Sequence, residues 1–171
     1  MSIDRGNFRM AIDLLQTYND GLGTSKDPLT VNGGVQFTDG DGSGEIDVMY
    51  GAYQTALADG ANTTLDLADG TLTDRFGRGV EFDTIKGLYI KNNFAAGELH
   101  VGAAASTPVT GLVDVDATGL LVIQPGGEIM LLFGASGIDV ETNCHLKLEH
   151  DGSGAAAGSF DIVIVGVGDY S

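Results

Sequence analysis

Oxygen-bearing side chains recur at alternate positions in Asp39-Gly40-Asp41-Gly42-Ser43-Gly44-Glu45-Ile46-Asp47. Carboxylates and hydroxyls spaced in this way around glycine bends can converge on a hard cation such as calcium. The stretch follows the first nine positions of an EF-hand loop but departs at the twelfth, where Tyr50 replaces a bidentate carboxylate. No helical periodicity flanks it. Two readings follow: a glycine-rich acidic turn joining two strands, which is the simpler, or a non-helical loop in which Asp39, Asp41, Ser43 and Asp47 hold calcium.

The other reactive residue types give less. His100, His145 and His150 lie on separate strands or strand ends, without ligand spacing beside acids or thiols. In Cys144-His145-Leu146-Lys147-Leu148-Glu149 the alternation puts Cys144, Leu146 and Leu148 on a buried face, and His145, Lys147 and Glu149 on a wetted one. Cys144 then reads as a buried apolar thiol rather than a nucleophile, and His145 as a solvent-facing partner of Lys147 and Glu149. No glycine-lysine-serine/threonine phosphate loop occurs, and Gly166-Val167-Gly168 has no helix after it. A sugar-cleaving site would need two carboxylates about 5–10 Å apart in a cleft. The chain has no tryptophan to furnish a platform beside such a pair. These residues point away from catalysis.

Eight basic residues against 24 acidic ones give a net charge of -16. Such a surface repels phosphate backbones and anionic headgroups, so neither nucleic acid nor a membrane is an expected partner. Disorder is not expected, because 43% of residues are hydrophobic and only 19% are charged. The 171 residues suit one domain, and the single cysteine excludes an internal disulfide framework. No apolar run approaches the roughly 20 residues of a membrane-spanning helix.

Short apolar runs punctuated by glycine recur about every ten residues in the C-terminal half, the rhythm of a sandwich or barrel. Strands are predicted near Ile85–Lys91, Glu98–Val101, Gly111–Val115, Gly119–Gln124, Glu128–Phe133, Cys144–Glu149 and Ser159–Val167, with a tight reversal at Gln124-Pro125-Gly126-Gly127. The run Phe160–Val167 is apolar at nearly every position. Both its faces must therefore be covered, by a second sheet or by a neighbouring subunit. Near the N-terminus Phe8, Ala11, Ile12, Leu15 and Tyr18 fit a helical stripe, while Phe8, Met10, Ile12 and Leu14 alternate as in a strand. The Asn19-Asp20-Gly21 turn signal favours the strand. The expectation is an all-β, jelly-roll-like β-sandwich with glycine-rich turns over residues 31–171, preceded by an N-terminal strand or docking arm over residues 1–30.

Three stretches carry a resemblance. They are Phe37–Tyr50 continuing into Leu65–Gly77 and Val80-Glu81-Phe82; Ile85–Asn92 followed by Leu99-His100-Val101-Gly102; and Ile123–Leu131 ending in Phe160–Gly166. In these turn and strand patterns the chain resembles small tailed-bacteriophage virion proteins that adopt jelly-roll-like folds and decorate or cement the capsid. The resemblance implies a structural protein and brings no catalytic residues. With the acidic charge and the doubly apolar last strand, it leads us to expect a homotrimer on the capsid exterior that clamps major capsid protein subunits after synthesis in the host cytoplasm. The alternative is a carbohydrate- or receptor-binding β-sandwich of a tail fibre or host-attachment apparatus.

Overall fold

The computed structural model describes residues 6–19, 24–102, 106–112, 120–152, 154 and 156–171, with side chains described from residue 33 onward. Every regular element among them is a strand. In chain order these are β1 (Gly6–Asn19), β2 (Thr24–Asp39), β3 (Glu45–Ile46), β4 (Val48–Leu57), β5 (Asn62–Asp66), β6 (Leu72–Thr73) and β7 (Gly79–Asn92). They continue with β8 (Leu99–Gly102), β9 (Leu120–Ile123), β10 (Glu128–Leu132), β11 (Ile138–Asp139), β12 (His145–His150) and β13 (Gly158–Tyr170).

Two antiparallel sheets make the body. One has the order β10-β7-β13-β4, with β6 and β11 also paired to β7; the other has the order β5-β12-β8-β9. The pairings are nested: β4 with β13, β5 with β12, β7 with β10, and β8 with β9. A long hairpin rolled upon itself produces this order, and closing it brings β13 beside β7 and β12 beside β8. That is the eight-stranded jelly-roll arrangement of a β-sandwich.

Strand alternation explains which residues fill the space between the sheets. Leu88, Ile90, Phe160, Ile162 and Ile164 come from one sheet, and Leu65, Leu99, Val101, Leu146 and Leu148 from the other, all in one buried cluster. Each such side chain contributes roughly 1.5–3 kcal/mol by leaving water. The last strand is central, flanked by β7 and β4. Its Ile162 and Ile164 point inward, whereas Val163 and Val165 face out. Cover for Val165 comes from the chain's own Phe37 and Ile46.

The turn at Gln124–Gly127 forms as predicted: the Gly127 N–H donates to the Gln124 carbonyl at 2.8 Å, and Gly126 takes φ +73°. It carries the chain between sheets, since β9 belongs to one and β10 to the other. Gly111 and Leu112 lie in a turn rather than a strand, and residues 113–115 of that predicted strand fall outside the described residues.

The N-terminal segment is a strand. β1 pairs antiparallel with β2 from Gly6 opposite Phe37 to Asn19 opposite Thr24, a ribbon roughly 45 Å long at about 3.4 Å per residue. β2 passes through residues 30 and 31 without interruption, and its end adds the short parallel β3.

Candidate functional site

Four strands present the outward face of the larger sheet. Registers align Gly51, Val163, Tyr89 and Met130 across β4, β13, β7 and β10. The neighbouring row holds Met49, Val165 and Leu132. Phe37 and Ile46 pack on part of this surface with Val35, Leu132, Val163 and Val165, forming a second apolar cluster outside the main core. Beyond their cover, Met49 remains 41% exposed and Tyr53 68% exposed. Charged residues border the patch: Asp161 is opposite Lys91, which is opposite Glu128. The Tyr89 hydroxyl donates to Glu128 Oε2 at 2.8 Å. Burial and then this carboxylate push the phenol up to about 12, so it stays a donor at neutral pH. An apolar centre with a polar border is the anatomy of a protein interface.

The hairpin leaves the body beside this patch. Its register sets Phe8 opposite Val35, Ile12 opposite Val31 and Leu14 opposite Leu29. A two-stranded ribbon of this length is at best marginal alone in water.

The acidic segment Asp39–Asp47 links β2 to β4 through β3 and is tied by its own chain. Glu45 Oε2 accepts the Gly42 N–H at 2.8 Å, while Lys86 Nζ donates to the Gly42 carbonyl at 2.6 Å. Lys86 is only 3% exposed, so its ammonium is a fixed cation beneath the turn. Asp47 Oδ1 accepts from the Gly168 N–H at 3.0 Å. Burial raises the Asp47 pKa, with Asp41 and Asp169 adding to it against the backbone hydrogen bonds. Asp39, Asp41 and Ser43 are exposed. Among the described residues, the groups of metal-type side chains whose ligand atoms gather within 4.8 Å lie elsewhere. Sequence reasoning singled out the carboxylates and missed Lys86, which stands in a different strand and carries no local sign of its role.

One such group is Asp66, Cys144 and His145. Lys147 and Glu149 pair with each other, and His145 turns instead to Asp66 Oδ2 at 3.0 Å through Nε2. Its Nδ1 lies 2.8 Å from the Ser106 carbonyl and 2.6 Å from Thr107 Oγ1. A carboxylate only accepts, so in the neutral ring the proton sits on Nε2 toward Asp66, and Nδ1 accepts from the Thr107 hydroxyl. Burial works to raise the Asp66 pKa, but the Ala68 N–H, the Cys144 thiol and His145 outweigh it and hold the carboxyl low. Burial and then Asp66 raise the Cys144 thiol, which is half-buried and therefore protonated at neutral pH. The cluster is a hydrogen-bonded joint that ties β5, β12 and residues 106–107 together.

His100 contacts Glu98 at 3.1 Å on the surface of the smaller sheet. His150 is wholly buried between Asp59 and Asp151. Its orientation was available from the alternation, since Leu146, Leu148 and His150 share one face; the approach of Asp59 was not. Comparison with protein-family models and with curated proteins finds no match.

Proposed function

We propose that the chain is a structural protein of a bacteriophage virion, a decoration or cement protein that binds the outer capsid surface as a homotrimer and stabilises contacts between major capsid subunits. The observation that carries this reading is the apolar patch around Met49, Tyr53 and Val163 with the long β1–β2 hairpin beginning beside it. Together they offer one face for self-association and an arm for a neighbouring surface. The net charge of -16 favours partners other than nucleic acid.

Light scattering at micromolar concentration should give a trimer mass. Co-sedimentation with capsid shells should show saturable binding that a Met49→Asp, Tyr53→Asp double variant loses. A monomer without affinity for shells overturns the reading, as does a virion reconstruction placing the protein in the tail. One observation favours the alternative of carbohydrate or receptor binding: Phe76 is exposed on the β6–β7 turn with the Arg75 guanidinium 4.8 Å from its ring centre. Glycan binding lost in Phe76→Ala, with no affinity for shells, would select it.

A further inference from the structure

We propose that Asp59, His150 and Asp151, with the carbonyl of Ala96, form a binding site for a divalent transition cation of the zinc class that ties three loops together at one end of the sandwich. These groups come from the β4–β5 turn, the end of β12 with the loop beyond it, and the β7–β8 loop. His150 Nε2 lies 4.0 Å from Asp59 Oδ1, 3.9 Å from Asp151 Oδ1 and 3.2 Å from the Ala96 oxygen. The three side-chain ligand atoms all fall within 4.8 Å of one another.

An independent observation turns this cluster into a site. Asp59 Oδ1 is closed off from solvent and has no hydrogen-bond partner among the described residues, although buried polar atoms are almost always paired. The imidazole is 0% exposed, and an orphaned carboxylate oxygen faces it across a gap. A cation between them supplies the missing partner to Asp59. Metal ligation at Nε2 moves the ring proton to Nδ1. The Ala96 carbonyl then exchanges its Nε2–H donor for the ion.

The donor set decides the class of ion. One imidazole nitrogen with carboxylate and carbonyl oxygens suits zinc and its neighbours, whereas calcium takes oxygen ligands throughout. Tetrahedral zinc with bonds of about 2.0–2.1 Å sets its ligands roughly 3.4 Å apart. The two His150–carboxylate separations need to contract by only about half an ångström to meet that spacing. Access is from solvent past the two carboxylates, whose side chains are partly exposed while the histidine is not.

Gly97 keeps the space open. It adopts φ +91°, and a Cβ there would stand 2.9 Å from Asp151 Oδ1 and closer still to His150 Nε2. The ligands are also held from behind: Phe94 stacks on the imidazole at 4.0 Å between ring centres, and the Gly154 N–H donates to Asp59 Oδ2 at 3.0 Å.

The test uses the untagged full chain, stripped with a chelator and titrated with zinc by calorimetry and thermal melting. We expect one zinc per chain, a melting temperature that rises with zinc, and affinity reduced at least about tenfold in both Asp59→Asn and Asp151→Asn. Both variants alter partly exposed residues, and their circular dichroism should match the parent. Cobalt(II) should give tetrahedral bands without thiolate charge transfer, and Cys144→Ser should bind as the parent does. Absence of zinc binding at millimolar concentration overturns the proposal. So does binding that is insensitive to Asp59→Asn yet lost in Cys144→Ser, which would put the ion at Asp66 and His145.

Discussion

His145 and His150 begin and end the same strand, and their surroundings treat the same side chain in opposite ways. His145 faces outward, where Asp66, Ser106 and Thr107 engage both ring nitrogens. His150 faces inward with Leu146 and Leu148, its Nδ1 unpaired among the described residues and two carboxylates at 3.9 and 4.0 Å. An odd spacing along a strand puts the two on different faces. The outward histidine therefore belongs to a satisfied network that removal merely loosens. The inward one occupies space and separates charges, so its removal both opens a cavity and leaves Asp59 and Asp151 with nothing between them.

The largest effect should follow from that difference. His150→Ala is expected to cost about 3 kcal/mol in urea unfolding, against about 1 kcal/mol for His145→Ala. Equal losses would dissolve the contrast. Gly97→Ala, which forces a left-handed residue to carry a methyl against His150, should cost about 2 kcal/mol. A neutral result would mean that the pocket around His150 yields readily.

Asp66→Asn should destabilise by about 1 kcal/mol at neutral pH. Because the folded pKa of Asp66 is depressed, its contribution is present above the unfolded carboxylate value near 3.9 and is lost as pH falls through the folded value. Parent and variant should then converge in unfolding curves recorded at progressively lower pH. Asp47 reverses the sign. Its folded pKa is raised, so the fold favours the protonated acid; the penalty grows as pH rises from the unfolded value through the folded value and is complete above it. Asp47→Asn keeps an acceptor for the Gly168 N–H and should stabilise by a few tenths of a kcal/mol at pH 7, with no gain near pH 3.

The strands of the C-terminal half were legible because each is short, apolar on at least one face and closed by glycine. Leu146 and Leu148 show it by alternation, and the Gln124–Gly127 reversal shows it by its turn residues. The strands between Val48 and Asp66 were less so: β4 is broken by Gly51 and by Gln54 at φ +51°, and β5 is Asn62-Thr63-Thr64-Leu65-Asp66, with one apolar residue. Of the chemistry, the acidic segment announced itself by composition. Lys86, which holds its Gly42 carbonyl, and Asp59, which meets His150, did not, since contacts between distant strands leave no local spacing to read.

By itself the sequence determined the period of two along the strands, the glycine turns, the acidic surface and hence an all-β sandwich with buried faces. Those properties are local, set by backbone sterics and by the transfer of alternate side chains out of water. Tertiary structure alone decided the nested strand order, the covering of Val165 by Phe37 and Ile46, and the meeting of His150 with Asp59. The reason is the rolling of one long hairpin, which joins residues far apart in the chain through strand pairs whose partners no single strand specifies.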